Sequence, residues 1–166
     1  MLDKIDLRIL SILQGDARAS NAAIARKIGM APSATLERIR KLEQRGLIRG
    51  YQARLDAAPL GLGLVAFVFV RSSERAGGTK TARRLAAIPE VQEVHHIAGE
   101  DCFLVKVRAT NPQALGQLLR ERFGAIRGVT STRTTIVLET LKETGSVPVP
   151  TAVPGQAERK KGDGRA

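Results

Sequence analysis

Arg38, Arg40 and Lys41 stand within four residues of one another in the stretch "SATLERIRK", residues 33–41. Cations at this spacing on a helical segment suit phosphates and base edges rather than bond breaking. The side chains able to do covalent chemistry are few. His95 and His96 are the only histidines. Adjacent strand residues point to opposite faces, so the pair neither chelates one metal nor works as one acid–base unit. One packed histidine and one facing a partner is the better reading. Cys102 is the only cysteine, which rules out an intramolecular disulfide, and no Cys/His spacing suits zinc. Its neighbours Glu100 and Asp101 disfavour the reactive thiolate, so Cys102 reads as a small, semi-buried strand residue rather than a redox sensor. Thr132 and Thr134 share one face of a strand. They suit a ligand carboxylate and equally suit a strand. No catalytic residue, metal site or cofactor is assigned.

The elements that position the cations come from spacing and caps. Asp3 is placed to cap a first helix over residues 3–14, with Ile5, Ile9, Leu10 and Leu13 at helical intervals. "GDARAS" is a turn. Ser20 is an N-cap for a short second helix, Asn21 to Ile28, and Gly29 supplies the left-handed residue that ends it. Pro32 suits the first position of a third helix running to about Arg45, with Thr35, Ile39 and Leu42 inward. This is a helix-turn-helix, about Asn21 to Arg40. At 100° per residue the face opposite Ile39 carries Ser33, Ala34, Glu37, Lys41 and Gln44, flanked by Arg38, Arg40 and Arg45. Such a face fits the major groove of double-stranded DNA. The plainer reading is a solvated face held by a Glu37–Lys41 pair. Turn, position and charge together favour DNA, with Ser33, Ala34, Glu37, Arg38, Arg40 and Lys41 as the contacting residues.

The rest of the chain changes rhythm. "LGLVAFVFVRS" (62–72) is a near-continuous apolar run, as in a strand covered on both faces. "TKTARRLAAI" (79–88) is helical. "VQEVHHIAG" (91–99) and "DCFLVKVRA" (101–109) are two strands around a tight turn at Gly99-Glu100. "NPQALGQLLRERFG" (111–124) is a helix capped by Asn111, and "GVTSTRTTIVLETLK" (128–142) is a last strand. The order βαββαβ is the ferredoxin-like arrangement, with both helices on one face of the sheet. Ile136 and Leu138 point one way and Val137 the other, so the second face is expected to be apolar and covered by a second copy of the chain. The fold class is α+β: a helix-turn-helix domain of winged-helix-like type with a linker strand (1–60), a ferredoxin-like domain (61–142) and a disordered basic tail (143–166).

Composition bounds the function. The net charge is +11 over 166 residues, and aromatics are only 3%. The first favours polyanions; the second argues against a single-strand binder built on stacked rings. Residues 1–50 carry ten Lys/Arg against five Asp/Glu, residues 51–142 thirteen against eight, and the tail four against three. The excess is thus densest in the helix-turn-helix. The amphipathic N-terminus lacks the apolar core of a signal peptide, and the run Leu64 to Val70 is far too short to span a bilayer. A cytoplasmic protein without a membrane partner is expected. The tail's Arg159-Lys160-Lys161 reads as solubilising.

A basic helix-turn-helix followed by βαββαβ resembles the Lrp/AsnC family of bacterial and archaeal transcription regulators. The matching stretches are "LDKIDLRILSILQGDARASNAAIARKIGMAPSATLERIRKLEQRGLIRGY" and "GVTSTRTTIVLETLK", and the likeness covers about residues 2–142. The resemblance implies a DNA-binding homodimer whose sheets pair face to face. It also implies assembly into octamers or other higher oligomers, and an amino-acid effector bound between dimers near the turn joining the second and third strands. On this chain that places the effector at Gly99, Asp101 and Cys102, with Thr132 and Thr134. Two positions depart from the pattern. Ala31 stands where the family usually has Ser before the helix-starting Pro. Cys102 stands where the motif Gly-x-x-Asp has its acid, with Asp101 one place early. Two alternatives share these features: an architectural DNA-binding protein without a ligand, and a tetrapyrrole decarboxylase sharing the fold, which would not need a basic recognition helix.

Overall fold

The computed structural model describes residues 2–75 and 78–151. Among them, the chain up to Arg54 and from Thr144 onward forms one unit, and Leu55–Glu143 forms the other.

The first unit is built from three helices whose ends are set locally. α1, Lys4–Gly15, opens with a capping box in which the Asp3 side chain accepts from the Asp6 N–H and the Asp6 side chain accepts from the Asp3 N–H. α2, Asn21–Ile28, is capped by Ser20 and ends at Gly29, whose φ of 74° is the left-handed conformation glycine adopts at no steric cost. α3, Pro32–Gln44, starts on Pro32 with Ala31 as a cap that makes no side-chain hydrogen bond. Ile9, Leu13, Ile24, Ile39 and Leu42 close into one core. No strand precedes Leu64 among the described residues. Within the described part of the expected tail, Val147 is bonded to α1. The Gln14 side-chain amide donates to the Val147 carbonyl (2.6 Å) and accepts from its N–H (2.9 Å). The cluster Arg159-Lys160-Lys161 lies outside the described residues.

The second unit has the expected topology. β1 (Leu64–Ser72), α4 (Lys80–Ala86), β2 (Val91–His96), β3 (Phe103–Ala109), α5 (Pro112–Leu118) and β4 (Val129–Ile136) follow in order. The sheet order is β2-β3-β1-β4, every neighbouring pair antiparallel. Past Leu118 the helix continues as a π-helical turn, Leu119–Phe123, closed by Gly124 N–H to Leu119 O at 2.9 Å. Ala66, Val68 and Val70 of β1 and Phe103, Val105 and Val107 of β3 pack with Leu85, Leu115 and Phe123 into the core.

Register corrects three expectations. β2 ends at His96 and β3 begins at Phe103, so the connection spans 97–102, closed by Ile97 N–H to Cys102 O at 3.0 Å. β4 ends at Ile136; Val137 makes a last bond to Val65, and Leu138 is 98% exposed, outside any strand. The face away from the helices is mixed rather than apolar. Residues opposite each other in register share a face. Phe67 and Phe69 therefore lie beside Leu104, Lys106, Arg133 and Thr135, with Glu93 and His95 further along. Lys106 is held there by Glu93 and Glu143, and Arg108 by Glu143.

Candidate nucleic-acid interface and effector turn

α3 presents its outer face as the periodicity requires. Thr35, Ile39 and Leu42 are buried, whereas Ser33, Glu37, Arg40 and Lys41 are exposed and Ala34 is half-buried. The Thr35 hydroxyl donates to the Ala31 carbonyl at 3.0 Å, which satisfies it within the core. Lys41 and Glu37 pair at 2.6 Å on the surface; the hydrogen bond from Lys41, and then its charge, holds the Glu37 carboxyl below its usual range. Exposed on both sides, this pair contributes little to stability. Arg26 and Lys27, in the last turn of α2, are exposed too. Behind α3 the Tyr51 hydroxyl donates to Glu43 at 2.9 Å. Burial, then this bond and the carboxylate's charge, push the phenol up to about 12.

Arg38 is placed differently from its neighbours. Its Nη1 donates to Asp3 at 2.6 Å and Asp6 at 2.7 Å, both at the start of α1. It faces α1 rather than the open side of α3. Position on the helical wheel left it at the edge of the outer face, and its partners lie more than thirty residues away in sequence. Asp3 was legible as an N-cap, but no local signal joined it to Arg38.

The five residues expected at the effector turn do not converge within one chain. Gly99 has φ 132° and open space where a side chain would start, so the turn is accessible. Asp101 bonds Arg133 at 3.0 Å, and that guanidinium also lies 4.0 Å above the Phe69 ring on the open face of the sheet. Thr132 and Thr134 lie opposite Val70 and Val68, on the helix-covered side. The Cys102 N–H bonds Val70 O at 2.9 Å and its side chain packs on the core, with Sγ 3.7 Å from Ser72 O. Cys102, just before β3, and Thr132 of β4 thus flank β1 from opposite sides, about 10 Å apart across the sheet. Arg133, which the sequence did not single out, takes the acid expected at the effector site. The two histidines split as alternation requires: His96 stacks near Phe103 with centroids 5.3 Å apart, and His95 meets Glu93 at 3.0 Å. Among the described residues no group of His, Cys, Asp and Glu is arranged to hold a metal ion, and no helix is long and apolar enough to cross a membrane.

Comparison with known proteins agrees with both units. Residues 2–49 match a winged helix-turn-helix DNA-binding domain, and residues 65–147 match the Lrp/AsnC ligand binding domain. The HTH-type transcriptional regulator FL11 of Pyrococcus horikoshii is 40% identical over 149 residues, covering 89% of this chain and 97% of that protein. Among solved structures, the transcriptional regulator NMB0573/L-Met complex of Neisseria meningitidis superposes with a TM-score of 0.82 at 30% identity, over 89% of this chain and 97% of that one. The feast or famine regulatory protein of M. tuberculosis complexed with L-methionine does so at 0.82 and 33%, over 90% and 100%. A helix-turn-helix with an exposed cationic third helix, joined to this four-stranded sheet and matched along nearly the whole chain, makes this protein a member of the Lrp/AsnC family of transcriptional regulators.

Proposed function

We propose that this regulator reads double-stranded DNA through the outer face of α3, with Ser33, Ala34, Glu37, Arg40 and Lys41 toward the major groove. The observation that carries this reading is an exposed cationic face on a helix started by Pro32 and backed by Thr35, Ile39 and Leu42. The N-terminal residues of such a helix meet base edges, and its cations meet bases or phosphates. The protein acts by binding rather than catalysis, in the cytoplasm. It works as a homodimer whose mixed sheet face, with Phe67, Phe69 and Leu104, is covered by a second copy. Dimers assemble further, to octamers or other higher oligomers.

An Arg40→Ala/Lys41→Ala double variant tests the DNA reading. It is expected to bind a random-sequence duplex pool at least tenfold more weakly, from roughly 1–3 kcal/mol per base-reading cation. Binding at wild-type concentrations overturns the assignment.

The sensing module takes an amino acid at the accessible turn around Gly99. The two relatives solved with L-methionine support this class of ligand. Because Asp101, Cys102, Thr132 and Thr134 do not meet in one chain, the site is completed by a second copy. A Gly99→Arg variant fills the open turn and should lose calorimetric binding of L-methionine, while still binding DNA. Unchanged methionine binding places the site elsewhere. If the wild-type protein binds none of the proteinogenic amino acids, the ligand-independent reading takes its place.

A further inference from the structure

We infer that Arg38 is a positioning residue: clamped by Asp3 and Asp6, it sets the seat of α3 on α1 and does not itself touch DNA. This rests on the reading that α3 enters the groove.

The clamp is a closed set of partners. Each aspartate spends one oxygen on the capping box and the other on the guanidinium. Asp3 Oδ1 accepts from the Asp6 N–H at 2.8 Å and Oδ2 from Arg38; Asp6 Oδ2 accepts from the Asp3 N–H at 3.2 Å and Oδ1 from Arg38. All four carboxylate oxygens are thereby used. Asp6 is nearly buried, its side chain 9% exposed, and that of Arg38 is 30% exposed. If Arg38 turned outward to a phosphate, two adjacent carboxylates would be left without a counter-ion, one of them away from water. Removing one partner of such a pair is strongly unfavourable. A cation already neutralised by two acids is also a poor phosphate ligand. The guanidinium joins the first turn of α1 to the middle of α3, four residues before the buried Leu42. A recognition face reads base edges only when its supporting contacts hold it in place.

The two roles for Arg38 differ in the sign of one effect. Asp6→Asn keeps the shape of the side chain but removes a negative charge and weakens the clamp. If Arg38 is a DNA ligand, this change frees a cation and lowers repulsion of the duplex, so binding tightens or stays the same. If Arg38 positions α3, binding weakens. The experiment measures affinity for a random-sequence duplex pool over a range of salt, together with the sequences enriched in the bound fraction. It uses the full chain as wild type, Asp6→Asn, Arg38→Met and the Arg40→Ala/Lys41→Ala control. Far-ultraviolet dichroism checks that each is folded, and Asp6→Asn alone decides the matter if Arg38→Met is not.

We expect Asp6→Asn and Arg38→Met to weaken binding by similar factors, roughly two- to thirtyfold, the range for substitutions acting through a packed network. The salt slope and the enriched sequences should stay those of wild type. A salt slope lowered by about one in Arg38→Met assigns the residue to a phosphate and overturns the inference. So does a changed sequence preference in Arg38→Met alone, or wild-type affinity in Asp6→Asn. If instead only the Arg40/Lys41 control binds normally, it is the placement of α3 in DNA that fails, and the clamp is shown to act on another surface.

Discussion

The helical unit and the sheet unit differ in the distance along the chain at which their decisive contacts act. In the helical unit each boundary is set within about four residues: Asp3 with Asp6, Ser20 with the Ala23 N–H, Gly29 by its own φ, Pro32 by its ring. In the sheet unit the surroundings of a residue come from strands far along the chain. Val70 lies between Phe103 and Thr132, more than thirty and more than sixty residues away. The ends of the three helices therefore depend on their caps, whereas the seat of α3 depends on the distant Arg38 clamp. The sheet depends on register, where one residue of slip exchanges its two faces.

The largest test of that contrast is core truncation. Phe123, fully buried at the end of the π-helical turn, belongs to a core drawn from β1, α4, β3 and α5. Phe123→Ala is expected to cost about 3–5 kcal/mol. Leu42→Ala, also buried but in a core assembled from neighbouring helices, is expected to cost about 2–5 kcal/mol. Urea unfolding followed by dichroism gives both values. A Phe123→Ala cost below about 1 kcal/mol would remove the distinction, since it would mean the sheet core repacks as freely as a surface.

A smaller effect is expected at a cap. Ala31 has the extended backbone of an N-cap, φ −69° and ψ 144°, but offers no acceptor to α3. Ala31→Ser supplies one, and is expected to stabilise the protein by about 1 kcal/mol, read from the same unfolding curves. A neutral or destabilising result would show that the Pro32 start and the Thr35 bond to Ala31 already complete this helix end.

The smallest effect is a dependence on pH at the clamp. Burial pushes the Asp3 carboxyl up, but the Asp6 backbone N–H, then the hydrogen bond and charge of Arg38, outweigh it and leave the group below its usual value of 3.8. A lowered carboxylate stabilises the folded state above its unfolded value, and that contribution is lost as pH falls through the folded one. The stability difference between wild type and Asp3→Asn should be constant above about pH 5 and shrink below it. A difference that is flat into acid would separate the clamp from Asp3 and leave Asp6 as its only working acid.

The candidate sites divide along the same line as the units. Ser33, Glu37, Arg40 and Lys41 were legible because a helix repeats every 3.6 residues, so a buried stripe fixes the opposite face from within the same segment. The effector cluster was not. Thr132 and Thr134 were correctly placed together, since i and i+2 share a face in any strand. Their separation from Asp101 depended on Arg133 reaching across the sheet, and on β3 starting at Phe103 rather than at residue 101. The resemblance to the family located the turn, but it carried no information on which side chain of this chain would take Asp101.

By itself the sequence determined the three helices and their caps, the βαββαβ order, the cationic face of α3 and the opposite orientation of His95 and His96. Each of these follows from periodicity or from a cap within one turn. Only the tertiary structure decided that Arg38 belongs to Asp3 and Asp6, that Asp101 belongs to Arg133, that β4 stops at Ile136, and that Gln14 holds Val147. The reason is physical. A charged or amide side chain bonds whatever complementary group the fold brings within about 3 Å, and that proximity is set by packing and strand register rather than by neighbours along the chain.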